Sequence, residues 1–506
     1  MRTLIGLLLL VLQVVPTLAS EPIVATHYFY WYRWPDQHFN QPGAPGNEGH
    51  FHHLPNPETV SYLSEAWHEA QLRAMKSAGI DIALPVYWGA PGAYERPGVR
   101  FSRDGLAPMV SAAKKLGDDG VRLGLFYDTS TLLNDVRGVS PGGGKADLTT
   151  PEGLGLFTRT VVEYFEMVPK ELWGRMHSRP LVVLYSGSFA ARWDTGLGDA
   201  LRAAFGARFP GESVFLVADK SWGKIGQDRT TSWGAALWGP QLFSGVAQIG
   251  PGYDDSPVPR RKTPHREREA GDYYRYSWQQ ALKHRPELVL IETWNEMHEG
   301  TEICETIETG KLYLELTAEW SRKLKKTQDP GPAISLRWPE PRNRPDLGWG
   351  DDAAGRAGVS ADYSTPPSKH VGIRVRVEQD GPVQRRPGSL RSPGQLNRYL
   401  YFQVSDHWIF EAPETPAQDL RLTVRTRKAT RFSVEYDSHD RRATFRGAYT
   451  RVDPVEPAGK KATGMTHRFQ LTAAFFGNRQ NGGSDFRLAL TGPDVDVVFV
   501  SLDRGK

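Results

Sequence analysis

Residues 288–296 read LVLIETWNE, an apolar run that passes directly into polar and acidic residues. A short apolar run bounded by polar residues is typical of a buried strand, so residues 288–293 are predicted as a β-strand that ends in a loop carrying carboxyl groups. Seven similar runs precede it along the chain. They are residues 23–32, 80–88, 121–127, 180–185, 214–218, 235–238 and 246–249.

Stretches with helical periodicity lie between most of these runs. They are residues 65–78, 106–116, 151–168, 193–209, 269–284 and 309–326. Eight strands that alternate with helices indicate a (β/α)8 TIM barrel over residues 20–327, although the crossovers at 219–234 and 239–245 are too short for full helices. An open, doubly wound parallel sheet is the alternative. It would normally carry a glycine-rich phosphate loop after the first strand, and none follows residues 23–32 here.

The pattern changes after the barrel. Residues 328–368 are rich in Pro, Gly and Asp, which predicts a linker or an irregular strap. Apolar and polar residues then alternate with period two in short segments from residue 369 to 506. This alternation predicts an all-β sandwich, jelly-roll-like, that is a possible carbohydrate-binding domain. Within it, Asp437 or Asp485 would be candidates for a structural Ca²⁺ ion, although no ligand spacing supports one.

The first 19 residues resemble a cleavable signal peptide. Arg2 precedes an apolar run at residues 4–15, and Thr17 and Ala19 supply the small residues of a cleavage site. Cys304 is the single cysteine, so no intramolecular disulfide can form. Export without disulfides predicts a secreted or periplasmic bacterial protein with no stable membrane span after cleavage. An uncleaved membrane anchor is the alternative.

Composition narrows the classes of partner. The 506 residues include 62 basic and 58 acidic ones, and a net charge of +4 is too balanced for an obligate nucleic-acid binder. Aromatic residues make up 11%, with 15 Trp and 19 Tyr. Flat, half-polar side chains stack on sugar rings, although protein cores use the same residues. The composition thus favours a carbohydrate partner, and no cofactor or metal is predicted.

Catalytic groups of barrel enzymes lie where the strands end at their carboxyl-terminal face. Glu296 and Glu299 follow the eighth strand, and a turn with i, i+3 spacing would put both carboxyl groups on one side. Two neighbouring carboxyl groups in a partly dry site divide into an acid and a base. The alternative is a solvated helix start, where acidic residues favour the dipole. The predicted substrate-binding residues at the strand ends are Tyr30, Trp31, His53, Tyr87, Trp88, Asp128, Tyr253, Trp294, Asn295 and His298.

Other residues admit a plainer interpretation. His50, His52 and His53 cluster in one loop, but no carboxylate spacing accompanies them to suggest a metal site. Asp219 ends a strand and would either bind hydroxyl groups or cap a turn. The basic run 260–262, with His265 and Arg266, is either a solvated loop or a contact for an anionic glycan.

The segment 295–303, NEMHEGTEI, resembles the N-E-W-H-E-G-T-x-I segment of the endo-α-mannosidases of glycoside hydrolase family 99. The Gly250-Pro251-Gly252-Tyr253 turn is similar to that family's G-P-G-Y. The resemblance implies a retaining hydrolase in which Glu296 deprotonates the sugar's own 2-hydroxyl and Glu299 acts as the acid and then the base. This mechanism is one of the exceptions to the usual carboxylate nucleophile.

The chain departs from the family pattern in ways that concern the cleft wall. Met297 replaces the family's Trp, Cys304 and Glu305 follow Ile303, and the third strand ends in Tyr127-Asp128-Thr129 rather than the His-Ile-Glu-Pro type. These changes leave the sugar and its linkage open. Two rivals also remain. One is a non-catalytic glycan-binding protein on a barrel scaffold, and the other is a lyase or an esterase, although no G-x-S-x-G elbow is present for an esterase.

Overall fold

The computed structural model describes most of the chain between residues 21 and 504. The described ranges are 21–39, 50, 52–89, 100–133, 144–255, 258, 263–306, 309–342, 353, 355–364, 369–376, 383–386, 388–392, 399–414, 418–428, 431–455, 465–481, 483–490 and 495–504. The predicted signal peptide at residues 1–19 and the basic run 260–262 lie outside them.

Eight parallel strands form the first unit. They are β1 Ile23–Tyr28, β2 Ile82–Tyr87, β3 Leu125–Tyr127, β4 Arg179–Leu184, β5 Phe215–Asp219, β6 Arg229–Thr231, β7 Val246–Ile249 and β8 Leu288–Ile291. They pair in the order β6-β5-β4-β3-β2-β1-β8-β7, and every pairing is parallel. The two-residue strand Arg122–Leu123 also pairs with β2. Arg175–Met176 and Gln241–Phe243 add antiparallel partners to β4 and β7.

The two ends of this path lie against each other, which makes the sheet barrel-like. Thr231 on β6 donates its hydroxyl hydrogen to the Gln248 side-chain oxygen on β7. At the other end of β6, Arg229 pairs with Glu287, which immediately precedes β8. The sheet has the architecture of a TIM barrel, as the alternation of apolar runs predicted.

Helices separate most of the barrel strands. They are α1 Glu65–Ser77, α2 Leu106–Leu116, α3 Pro151–Met167, α4 Leu197–Arg208, α5 Asp272–His284 and α6 Leu312–Lys325, with two four-residue helices at Phe101–Asp104 and Ala235–Trp238. Ser64 and Thr150 cap α1 and α3 by accepting backbone N–H groups at 3.2 and 3.1 Å. In the described ranges no helix is both long enough and apolar enough to cross a membrane.

The sixth barrel strand is not the one that the sequence predicted. Residues 235–238 form a short helix, and the strand is Arg229–Thr231. A four-residue apolar run cannot be distinguished from one helical turn by its periodicity. Here Gly234, with φ 103°, turns the chain immediately before Ala235, and the Glu292 carboxylate accepts hydrogen bonds from Gly234 and Ala236.

The C-terminal region consists of two antiparallel sheets. One contains Gly358–Asp362, Lys369–Val371, Gln384–Arg386, Ser389–Ser392, Leu420–Thr426, Met465–Leu471 and Val495–Arg504. The other contains Ile373–Arg376, Tyr399–Val404, Phe432–Tyr436, Thr450–Val452 and Phe486–Leu490. Apolar residues from both sheets, such as Leu422 and Phe402, share one buried core. The jelly-roll connectivity stays a prediction.

Several described residues between the two units contact the barrel. Gln279 on α5 donates to the Pro332 carbonyl at 2.6 Å and accepts the Ile334 N–H at 3.1 Å. Farther along, Arg266 donates to the Trp338 carbonyl at 3.0 Å. Residues 358–362 were predicted as part of the strap. They form a strand instead, which pairs with Val495–Arg504 and so belongs to the C-terminal sheet.

Candidate active site

The segment after β8 folds back on itself. Thr293 donates its N–H to the Thr301 carbonyl at 2.8 Å, and Thr301 donates to the Glu296 carbonyl at 3.3 Å. The Thr293 hydroxyl accepts the Glu296 N–H at 2.9 Å. Residues 297–300 form the predicted turn. As a result, Glu296 and Glu299 both border the same cleft.

Asn295 fastens this turn to the end of β1. Its amide oxygen accepts the Phe29 N–H at 2.8 Å, and its amide nitrogen donates to the Phe29 carbonyl at 2.6 Å. Met297 N–H also donates to the Tyr32 hydroxyl at 3.0 Å. Asn295 is 2% exposed, and both polar atoms of its amide bond the Phe29 backbone. Its side chain therefore holds the turn in position rather than facing the cleft.

The cleft has a volume of about 290 Å³ and lies at the carboxyl-terminal end of the barrel strands. Its wall combines three carboxyl groups with aromatic rings. The lining residues are Phe29, Trp31, His38, Phe126, Asp128, Ser130, Tyr185, Phe189, Trp233, Val258, Glu296, His298 and Glu299. Trp233 stacks on Phe126 with ring centroids 5.5 Å apart, and Tyr185 stacks on Phe189 at 5.7 Å. Such faces suit the apolar side of a sugar ring.

The two glutamates differ in environment. Glu296 is 3% exposed and accepts the His298 N–H at 3.1 Å, whereas Glu299 is half-buried. Burial and then the nearby Glu296 charge raise the pKa of Tyr32. On the other side, burial raises the pKa of Tyr185, with contributions from the Asp128 and Glu299 charges. Two carboxyl groups with unequal solvation can divide the roles of base and acid.

Asp128 is the third carboxyl group of the cleft. One oxygen accepts the Ser130 N–H at 3.1 Å and caps the short turn Thr129–Leu132. The other oxygen accepts the Trp88 indole N–H at 2.7 Å. Burial raises the pKa of Asp128, although these hydrogen bonds act in the opposite direction. Asp128 thus anchors Trp88 while remaining on the cleft wall.

The histidines lie on one side of the cleft. His38 Nδ1 is 3.3 Å from His298 Nε2, and the His38 ring stacks on Trp31 at 4.6 Å. His52 turns away and pairs with Glu302 at 2.6 Å, and half-buried His53 lies near His50. Across the ranges that the structure describes, no group of three or more His, Cys, Asp or Glu residues is arranged to hold a metal ion.

Several predicted substrate-binding residues pack elsewhere. Tyr30 donates to the Ser102 carbonyl at 2.6 Å, Trp294 to the Gln71 side chain at 2.8 Å, and Tyr253 to Asp255 at 2.8 Å. Tyr87 is buried against Tyr164. The Tyr30 side chain thus points towards the short helix Phe101–Asp104, while its neighbours Phe29 and Trp31 line the cleft.

Most of the aromatic wall was not predicted from the sequence. Tyr185 ends the predicted run 180–185, so the strand-end rule applied there would have found it, whereas Trp233 follows β6, which was not predicted as a strand. Phe126 lies within β3 and carries no local signal. Arg266, which was grouped with the basic run, is buried and donates to the Leu237 and Trp338 carbonyls. It is therefore not available to bind an anion.

The remaining C-terminal candidates are satisfied internally. Asp437 pairs with Arg479, whose Nε lies 2.6 Å from a carboxylate oxygen. Asp485 accepts the Val404 and Asn478 N–H groups at 2.9 and 3.1 Å. These contacts explain both carboxylates as structural groups.

Glu292 is a buried carboxyl group that the sequence analysis did not single out. It directly follows β8 and accepts N–H groups from Gly234 at 2.9 Å and Ala236 at 3.1 Å, as well as from the Gln248 amide. Despite these donors, complete burial raises the pKa of Glu292 to about 7. An acidic residue at the first position after a barrel strand is the signal that would have found it.

The stability advantage of the wild type over Glu292→Gln is expected to shrink by about 3 kcal/mol between pH 4 and pH 8. The pKa of Glu292 rises on folding from an ordinary value of 4.5 to about 7, so the folded state binds a proton that the unfolded state releases. The resulting stabilisation is complete below pH 4.5 and is lost as the pH rises through 7. Urea unfolding of both proteins across this range measures it, and a constant difference would contradict it.

Comparisons with known proteins give short matches to endo-α-mannosidases. The human glycoprotein endo-alpha-1,2-mannosidase-like protein is 35% identical over 99 residues, which cover 17% of this chain and 22% of that protein. The mouse glycoprotein endo-alpha-1,2-mannosidase is 34% identical over 96 residues, or 16% of this chain and 21% of that protein. The chain thus spans about a fifth of the length of the curated relatives it matches. The resemblance to endo-α-mannosidases is confirmed at this level.

Solved structures of glycosidases also align with part of the chain. The GH99 endo-alpha-mannosidase from Bacteroides thetaiotaomicron aligns with a TM-score of 0.45 and 16% identity, over 61% of this chain and 98% of that chain. The alpha-L-fucosidase from Lactobacillus casei aligns with a TM-score of 0.33 and 12% identity, over 60% of this chain and 96% of that chain. A family model described as a domain of unknown function, DUF5010, matches residues 17–329. Because this match covers more than half of the 506 residues, the chain belongs to the DUF5010 family.

Proposed function

We propose that the protein is an exported glycoside hydrolase that cleaves glycosidic bonds in a polysaccharide or oligosaccharide with retention of configuration. One observation carries this proposal: Glu296 and Glu299 border a single cleft together with the stacked rings of Trp233 and Phe126. Paired carboxyl groups beside aromatic faces are what acid–base cleavage of a sugar requires.

In the first step of the proposed reaction, Glu296 removes the proton from the sugar's 2-hydroxyl group. The freed oxygen attacks C1 and forms a C1–O2 bond. The bond from C1 to the leaving group breaks at the same time, and Glu299 donates its proton to the departing oxygen. The products of this step are a 1,2-anhydro sugar and an alcohol, with Glu296 protonated and Glu299 ionised.

In the second step, Glu299 takes a proton from a water molecule that attacks C1. The C1–O2 bond breaks, and Glu296 returns its proton to O2. Two inversions at C1 give net retention, and both carboxyl groups regain their starting states. In the chain itself, the His298 N–H orients the Glu296 carboxylate, and Asn295 holds the turn that carries both acids.

An α-mannoside is the first substrate class to test, because the names of the curated relatives specify an endo-α-1,2-mannosidase. The purified protein should be incubated with plant, algal, fungal and bacterial polysaccharides that include α-mannans, and released oligosaccharides read by mass. A fluoro or deoxy substitution at C2 of the cleaved sugar is expected to abolish turnover, because the proposed nucleophile is then absent.

The outcomes separate a hydrolase from a binding protein. Release by the wild type but not by Glu299→Gln supports the proposal and names the sugar. Binding to one glycan by both proteins without release would favour a non-catalytic glycan-binding protein. Turnover of a substrate that lacks the 2-hydroxyl would contradict the anhydro-sugar step while leaving hydrolysis in place.

We also propose that residues 1–19 direct export to the periplasm or the medium of a bacterium. The positive Arg2 and the apolar run 4–15 support this proposal. The intact mass of the exported protein should correspond to a chain that begins just after Ala19 or Ser20.

A further inference from the structure

The loop that carries Trp233 is held by carboxylates from two different strand ends. Asp219, the last residue of β5, accepts the Trp233 N–H at 2.9 Å. Glu292, immediately after β8, accepts the next N–H, from Gly234, at 2.9 Å, and the Ala236 N–H at 3.1 Å. Three of the four backbone N–H groups from Trp233 to Ala236 thus end on these two side chains, which we name the carboxylate clamp.

The clamp itself is fixed by the barrel interior. The Glu292 oxygen that accepts Gly234 also accepts the Gln248 amide, and the Gln248 oxygen in turn accepts the Thr231 hydroxyl. On the other side, the second Asp219 oxygen accepts the Ser221 N–H at 2.8 Å. Neither carboxylate can rotate without breaking further hydrogen bonds in a buried site.

The loop positions a ring of the cleft wall. The Trp233 indole stacks on Phe126 with an interplanar angle of 12° and meets the edge of Tyr185 at 5.2 Å. It also lies 4.9 Å from the buried ring of His27. The direction of this indole depends on the backbone between Thr231 and Ala236, and the N–H groups of Trp233, Gly234 and Ala236 in this backbone donate to the clamp.

We propose that Glu292 and Asp219 are positioning residues that hold Trp233 as the stacking face for the sugar ring in the cleft. The inference rests on the proposed function, since it names the face that the substrate would meet. Neither carboxylate borders the cleft, so neither contacts the reacting atoms. The clamp acts on binding through Trp233 rather than on proton transfer.

Glu292→Gln is the direct test. The amide of Gln turns a donor towards N–H groups that already donate, so at least one of the two backbone bonds is lost. Hydrogen–deuterium exchange of the peptide over residues 232–238 is expected to become at least about tenfold faster. The KM for the substrate is expected to rise about tenfold, the size of one lost stacking contact, while kcat changes less than about threefold.

A double-mutant cycle with Trp233→Leu distinguishes positioning from a general structural role. If Glu292 acts through Trp233, Glu292→Gln no longer changes KM in the Trp233→Leu background. An equal rise of KM in both backgrounds would overturn the proposal, and so would unchanged exchange in the 232–238 peptide. Asp219→Asn weakens the hydrogen bond from the Trp233 N–H to the other carboxylate of the clamp. It replaces Glu292→Gln in the test if that variant does not fold.

Glu287→Gln is the matched control. Glu287 and Glu292 flank the same strand, but Glu287 lies at its opposite end and pairs with Arg229 and His177. The control should leave both KM and the exchange of residues 232–238 unchanged. The exchange measurement needs no substrate. A wild type without turnover would therefore contradict the proposed function, and the exchange result would still decide whether the clamp holds the loop.

Discussion

Glu296→Gln and Glu299→Gln are each expected to lower kcat by about a hundredfold or more while the protein stays folded. Both side chains border the cleft, and the amide of Gln can neither accept nor release the proton that each step moves. Initial rates on the substrate found in the glycan screen, with unfolding curves alongside, measure the effect. Glu305→Gln is the matched control, because Glu305 is exposed and belongs to the same segment.

The leaving group separates the two roles. A substrate with an acidic phenol as leaving group needs little protonation, so it should restore much of the first step in Glu299→Gln. The same substrate should not rescue Glu296→Gln, whose defect is in activating the nucleophile. Near-normal activity in both variants would remove the mechanism, and rescue of Glu296→Gln alone would exchange the two assignments.

Glu302→Gln is expected to destabilise the barrel by about 3–5 kcal/mol. Glu302 is fully buried and accepts hydrogen bonds from Arg268 and His52, both at 2.6 Å. The variant leaves the buried Arg268 guanidinium without its counter-charge. Arg268 also donates to the Gly300 carbonyl at 2.8 Å, so the turn that carries Glu296 and Glu299 should loosen as well.

Thermal and urea unfolding measure this loss, and the melting temperature should fall by on the order of 10 °C. Removing both partners in Glu302→Gln with Arg268→Met should recover part of the stability, because no uncompensated charge remains buried. The control Glu305→Gln should change stability by less than about 0.5 kcal/mol. A loss of similar size in this control would show that the Arg268 pair does not carry the effect.

Much of the fold could be predicted from local sequence patterns. Seven of the eight predicted apolar runs overlap barrel strands, and β7 matches residues 246–249 without adjustment. Each run is apolar because its strand is covered on both faces, and burial on both faces makes consecutive residues apolar. The exception, β6 at Arg229–Thr231, is short and polar, so it carried no such signal.

The candidate site could be predicted from the sequence only in part. The spacing of Glu296 and Glu299 placed both correctly on one turn, since a turn is decided by residues close in sequence. Tyr30 was assigned to the cleft together with Trp31, but the two side chains leave the backbone in opposite directions. Which of the two faces the cleft depends on contacts with residues far away in the chain, such as the Ser102 carbonyl that accepts the Tyr30 hydroxyl.

Residues near one another in the chain were therefore enough to indicate a parallel barrel, a second all-β region and a pair of carboxyl groups after the last barrel strand. The aromatic wall required the tertiary structure, because Phe126, Tyr185 and Trp233 lie on or just after three different strands, β3, β4 and β6. The raised pKa of Glu292 has the same origin, since burial is created by every element that surrounds the group. Hydrophobic periodicity is a local property, whereas burial and side-chain direction arise from contacts between residues far apart in the chain.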